Sequence, residues 1–239
     1  MHRISDVNIK KRLEFCEKTL ARIQDGSLHL DRIVFSDETS VSCSETKINS
    51  RTHRVWVDKL VKISDLPAST IAAPTSGFAV KVMGHVCAPK IGPLPAVMCD
   101  PKCKVNQEEY RKLLEQEVVP NIINIEPNLD SAWWQEDNAT RHSAKKMREW
   151  AKKTFKNMIA WPPQSPDLSS LDYCINHYIK DCIRANLPPI SKPEVIRAQF
   201  KKVAREMPRD LVGRAIDHWP KRLQECINCG GGTMGRKLQ

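Results

Sequence analysis

The chain has 239 residues, of which 41% are hydrophobic, and this is enough apolar side chain for a buried core. Its formal net charge of +10 suits a polyanionic partner such as nucleic acid. Since the sequence contains neither a long apolar run nor the apolar core of a signal peptide, we expect no membrane span and reduced cysteines.

The first half of the chain predicts one helix followed by strands. Apolar residues at helical spacing over residues 7–24 predict an amphipathic helix that ends at Gly26. Branched and aromatic residues predict short strands over residues 30–37, 54–57, 78–87 and 92–99, the last two forming a hairpin. Residues 58–77 are rich in Pro, Ser and Thr and predict a long loop.

The second half alternates strand and helix and then becomes helical. Strands are predicted over residues 131–137 and 158–161. Helices are predicted over residues 106–120, 143–155, 171–185, 192–207 and 210–226. This order predicts an α/β domain whose mixed sheet has helices on both faces and whose C-terminal portion is helical.

Three aspartates stand at the boundaries of these predicted elements. Asp37 and Asp137 each end a predicted strand, and Asp172 begins a helix after a proline-rich turn. Central strands of an α/β sheet end at a crevice, so the three carboxylates could meet there. Carboxylates arranged in this way hold the Mg²⁺ ions of two-metal nucleases and polymerases. The pattern therefore suggests one phosphoryl-transfer site.

A structural role also explains each aspartate taken alone. Asp137 and Asp172 could cap the helices that follow them, and Asp37 could pair with a lysine at the surface. The coincidence of three such positions favours a shared site without excluding these roles.

Three segments resemble the catalytic motifs of mariner-type transposases, which are eukaryotic cut-and-paste DNA transposases with a DDE/D triad. They are FSDE at residues 35–38, QEDNATRH at residues 135–142 and WPPQSPDL at residues 161–168. The spacing between Asp137 and Asp172 is also similar to the spacing that characterises the family.

The resemblance implies an RNase H-like fold with Mg²⁺ or Mn²⁺ as the cofactor. It implies that Asp37, Asp137 and Asp172 are both the catalytic residues and the metal ligands. Asn138 and His142 are then expected beside the site, where they would hydrogen-bond the site or DNA, with loop capping as the alternative.

The resemblance also implies a domain organisation. Residues 1–28 correspond to a linking helix and residues 29–239 to the catalytic domain. Residues 58–77 resemble a clamp loop that reaches across a dimer, so a homodimer is expected. The helix-turn-helix DNA-binding domain that precedes this core in the family has no counterpart in the sequence, and we expect a truncated copy.

The implied function is metal-dependent cleavage of double-stranded DNA and strand transfer in the nucleus, that is, DNA transposition. Two alternatives stay open at this point. One is a domesticated, non-catalytic DNA-binding or dimerisation protein, and the other is a structure-specific nuclease of the same fold.

Overall fold

The computed structural model describes residues 4–42, 81–90, 92, 94, 97–98, 106–125, 130–139, 145–187 and 191–234. The predicted strand over residues 54–57 and the predicted clamp-like loop over residues 58–77 lie outside these ranges. Among the helices described, none is long and apolar enough to cross a membrane.

Five of the described strands form one sheet. They are β1 Ile33–Ser42, β2 Lys81–Pro89, β3 Val97–Met98, β4 Trp133–Gln135 and β5 Asn157–Met158. Their order across the sheet is β3-β2-β1-β4-β5. The β1–β2 and β2–β3 pairs are antiparallel, whereas the β1–β4 and β4–β5 pairs are parallel. The predicted mixed sheet and the predicted hairpin are therefore confirmed.

The helices lie before, between and after the strands. They are α1 Asp6–Gln24, α2 Gln107–Leu113, α3 Val119–Ile125, α4 Lys145–Thr154, α5 Asn176–Asn186, α6 Pro193–Glu206, α7 Arg209–Asp217 and α8 Trp219–Asn228. Single π-helical turns, Leu114–Val118 and Leu171–Ile175, precede α3 and α5. The helix predicted to end near Pro120 continues to Ile125, and Pro120 lies just after the π-helical turn Leu114–Val118.

The single helix predicted over residues 210–226 is wrong, since the structure has two helices there. α7 ends at Asp217 and α8 begins at Trp219, with His218 between them. Pro220 explains the break. A proline inside a continuous helix removes one backbone hydrogen bond and clashes with the preceding turn, whereas Pro220 lies in the first turn of α8.

The two faces of the sheet carry separate apolar cores. β1 supplies both, because its successive side chains point to opposite faces. Ile33 and Phe35 belong to the core formed with α1 and the C-terminal helices, and Phe35 packs edge-on against Trp219 at 5.2 Å. Val34 belongs to the second core, with Trp134 and Phe155 stacked at 4.5 Å. Helices therefore cover both faces, as predicted.

One charged side chain is buried between α1 and the end of the chain. Arg12 is fully buried and binds both carboxylate oxygens of Asp167, at 2.8 and 2.7 Å. It also donates to the carbonyl oxygens of Gln164, at 3.0 Å, and Gly231, at 2.9 Å. Because the guanidinium forms a rigid fork of donors, Arg12 fixes α1 against both segments.

Candidate active site

Parallel pairing of β1 with β4 places Asp37 beside Asp137. Phe35 is opposite Gln135 in this pair, and each aspartate lies two residues further along the chain, Asp37 within β1 and Asp137 just beyond the end of β4. β1 itself continues to Ser42, so the prediction that Asp37 ends a strand is wrong. What ends near Asp37 is the partner strand β4, and this opens the crevice beside the middle of β1.

Asp172 reaches the same crevice from the π-helical turn before α5. Asp37, Asp137 and Asp172 line one cleft of about 380 Å³, which is bordered on one side by the turn over residues 161–166. The structure thus brings the three predicted aspartates, from three separate segments, around one space.

Burial and mutual repulsion perturb two of these carboxylates. Burial, followed by the nearby Asp172 and Glu38 carboxylates, raises the pKa of Asp37 to about 7. Burial and the Asp137 carboxylate raise the pKa of Asp172 to about 6. Groups of like charge are therefore held close together and partly shielded from water, which is typical of a functional site.

Local hydrogen bonds seat each aspartate. The backbone N–H of Asp172 donates to Ser169 Oγ at 3.4 Å, and His177 Nδ1 lies 2.9 Å from the Asp172 carbonyl oxygen. Asp137 Oδ1 accepts from the backbone N–H of Ala139 at 2.9 Å, which is the local turn that a structural role predicts. The exposed Asp137 therefore shapes its own loop while it borders the cleft.

Of the two residues expected beside the site, Asn138 and His142, the structure describes Asn138. Asn138 borders the cleft, and its side-chain amide donates to the carbonyl oxygen of Trp161 at 2.7 Å. This bond ties the loop after β4 to the turn that forms the opposite side of the cleft. His142 lies outside the described residues.

Asn176 is a site residue that the sequence analysis missed. It is buried, and its Nδ2 donates to Asp37 Oδ2 at 2.8 Å, which opposes the rise in the pKa of Asp37. Helical spacing provided a signal, since Asn176 follows Asp172 by four residues and such pairs share one face of a helix. Within the described residues, the buried Gln135 Oε1 and Ser36 Oγ of the cleft have no hydrogen-bond partner.

This set of donors fits a divalent cation. Carboxylate and amide oxygens are the ligands that Mg²⁺ prefers, and a cation among crowded carboxylates would offset the repulsion that raises their pKa values. Among the described residues, no three His, Cys, Asp or Glu side chains already form a closed ligand set. The cleft is therefore an open arrangement of oxygen donors around a shared space.

Comparison with known proteins identifies the class of the fold first. The chain superposes on the Mos1 transposase catalytic domain in a structure with Mg, with a TM-score of 0.73, 17% identity and coverage of 98% of this chain and 100% of that one. A Mos1 paired-end complex with the left transposon end gives a TM-score of 0.81 and 21% identity over 98% of this chain. The predicted RNase H-like fold is therefore confirmed. The chain spans 65% of the Mos1 chain in that complex.

Sequence similarity then identifies the relatives. The chain is 22% identical over 231 residues to the Tc1 transposase of Caenorhabditis elegans, covering 94% of this chain and 78% of that protein. It is 24% identical over 237 residues to the Tcb1 transposase of Caenorhabditis briggsae, covering 93% and 80%. No protein-family model matches the chain. The chain is homologous to these transposases, and this similarity supports the predicted transposase-type catalytic domain and does not favour the non-catalytic alternative.

Proposed function

We propose that this catalytic domain cleaves DNA strands and transfers the freed ends to target DNA, with Asp37, Asp137 and Asp172 as ligands of Mg²⁺ or Mn²⁺. The observation that supports the proposal is the convergence of three carboxylates on one cleft. They come from β1, the end of β4 and the turn before α5, in a fold shared with the Mos1 catalytic domain.

Each side chain has a defined part in this proposal. Bound Mg²⁺ or Mn²⁺ would activate the attacking water or hydroxyl and stabilise the leaving oxygen. Asp37 and Asp172 supply negative charge that is poorly solvated, and this strengthens its attraction for a cation. Asn176 orients Asp37 through its amide, and Asn138 holds the turn over residues 161–166 at the edge of the cleft.

The same relatives support the proposed partners. Mos1 catalytic-domain structures are described with Mg and with Mn, and other Mos1 structures are paired-end and strand-transfer complexes. By this analogy, we include double-stranded DNA as substrate and a homodimer as the working assembly in the proposal. A nuclear location follows from chromosomal DNA as the substrate.

The direct test is nicking of supercoiled plasmid with Mg²⁺ or Mn²⁺. We expect Asp137→Asn to reduce nicking by roughly 100-fold or more, because removing even groups that only support a metal ligand costs about 10- to 100-fold. The matched control is Asp31→Asn, which makes the same chemical change at an exposed aspartate outside the cleft.

The outcomes separate the proposal from its alternatives. Equal nicking by the parent and the Asp137→Asn variant would contradict metal-dependent catalysis at this cleft. Cleavage of branched DNA without joining of the freed 3′-hydroxyl to target DNA would instead favour a nuclease that performs no strand transfer.

A further inference from the structure

Three depressions on the surface adjoin one another, and one of them is the catalytic cleft. A second depression, of about 410 Å³, lies between α1 and residues 159–163. A third, of about 250 Å³, lies between the end of β4 and α4. Trp161 borders all three, and Ile159 borders both the second and the third, so the three depressions adjoin one another around these residues. We call the three depressions together the track.

The catalytic cleft shares further borders with each of the other two depressions. Pro162 and Pro163 lie between the cleft and the depression beside α1. Asp137 and Asn138 lie between the cleft and the depression beside α4. The carboxylates therefore have a basic helix on each of two sides, α1 on one and α4 on the other.

Basic side chains occupy both ends of the track. On α1 they are Lys11, Lys18 and Arg22, which recur at helical spacing along one side of the helix. On α4 they are Arg148 and Lys152, one helical turn apart. Within the part of the chain that the structure describes, no ion pair is recorded for Lys11, Lys18, Arg148 or Lys152.

The acidic side chains at the two ends do not cancel this charge. Glu14 borders the α1 depression among three basic residues. Glu136 borders the α4 depression, but its carboxylate turns inward and accepts hydrogen bonds from Trp134 Nε1 at 3.2 Å and Tyr110 Oη at 3.4 Å. The charge along the track therefore changes from positive to negative and back to positive.

We propose that the track holds the backbone of one DNA strand, whose phosphates on either side of the reacting one bind the basic side chains of α1 and α4. A carboxylate centre by itself repels a phosphate, so the strand needs cationic contacts on both sides of it. Placing the reacting phosphate at the centre rests on the function proposed above. The flanking contacts are a binding property and can be measured without cleavage.

The test uses three variants with the same loss of two positive charges, all at exposed positions. They are Lys11→Gln/Lys18→Gln on α1, Arg148→Gln/Lys152→Gln on α4, and the control Lys201→Gln/Lys202→Gln on α6, away from the track. Binding of a fluorescein-labelled DNA duplex is followed by anisotropy over a range of salt concentrations, in chelator. Each track variant should bind severalfold more weakly and reduce the slope of log affinity against log salt by about 2.

The control should retain the parental slope and affinity. Equal losses in all three variants would mean that only net charge matters and would overturn the proposal. Unchanged binding in either track variant, or failure of the parent to bind DNA, would overturn it as well. Asp137→Asn measured in the same assay keeps the two proposals apart. If it still binds DNA as the parent does while nicking is absent in every protein, the track stands and the proposed catalysis fails.

Discussion

At the scale of single residues, the site depends on the contact between Asn176 and Asp37. The Asp37 carboxylate is half-buried near Asp172 and Glu38, and the Asn176 amide opposes the resulting rise in its pKa. A hydrogen bond to a charged group is worth about 1.5–3 kcal/mol. Asn176 therefore helps to keep Asp37 ionised near neutral pH.

We predict that Asn176→Ala weakens Mn²⁺ binding by roughly 10-fold near pH 6 and by less near pH 8, as measured by isothermal titration. The pH dependence arises because protons compete with the metal for Asp37 only where the solution pH lies near or below the pKa of this carboxyl, which is about 7 in the parent. Asn186→Ala is the control, since Asn186 is exposed on the same helix and, among the residues that the structure describes, donates only to the Cys182 carbonyl oxygen. An equal loss at both pH values would show that Asn176 acts by another route than the protonation of Asp37.

At the scale of elements, the glycine run after α8 closes against α1. Gly231 has φ of +81°, and a Cβ atom built on it would lie 2.2 Å from the carbonyl oxygen of Ile9. Gly230 has φ of +61° but open space around the same position. A glycine is therefore required at position 231 by the close approach of α1 as well as by the positive φ.

These two neighbours give a matched pair of variants. We predict that Gly230→Ala lowers the free energy of unfolding by roughly 1–2 kcal/mol, from backbone strain alone. Gly231→Ala should lower it by roughly 2–5 kcal/mol, because the overlap with Ile9 adds to the same strain. Urea denaturation measures both changes. Similar losses in the two variants would contradict the close packing of the glycine run on α1.

At the scale of the whole molecule, the crowded carboxylates make stability depend on pH. The folded chain raises the pKa of Asp37 from 3.8 to about 7 and that of Asp172 from 3.8 to about 6. Between about pH 4 and pH 7, the folded state therefore binds more protons at these two carboxyls than the unfolded state does. Stability from these groups is therefore fully present below about pH 4 and is lost as the pH rises towards 7.

We predict that, in chelator, the free energy of unfolding contributed by these groups falls by about 2 kcal/mol between pH 5 and pH 8, after allowance for partial exposure. Asp37→Asn should flatten this dependence and Asp31→Asn should retain it. Added Mn²⁺ should restore stability at pH 8, because it binds the folded state. Urea denaturation across this pH range is the measurement, and a stability that rises with pH in the parent but not in Asp37→Asn would contradict the prediction.

The amino-acid sequence by itself determined the kinds and order of most elements, because periodicity and turn chemistry act over a few residues. It identified α1, the hairpin of β2 and β3, and the three aspartates, whose surrounding motifs are also local. It placed Pro220 inside one continuous helix, since the pattern of apolar residues runs on through the break between α7 and α8.

Only the tertiary structure decided how the aspartates meet, because this depends on the register of β1 against β4 and on contacts between distant segments. The register places Asp37 beside Asp137 even though β1 continues beyond it. Arg12 occurs among the charges of an amphipathic helix in the sequence, yet it is buried by Asp167 and the glycine run, more than 150 residues away. Such partners lie beyond the range over which local sequence patterns act.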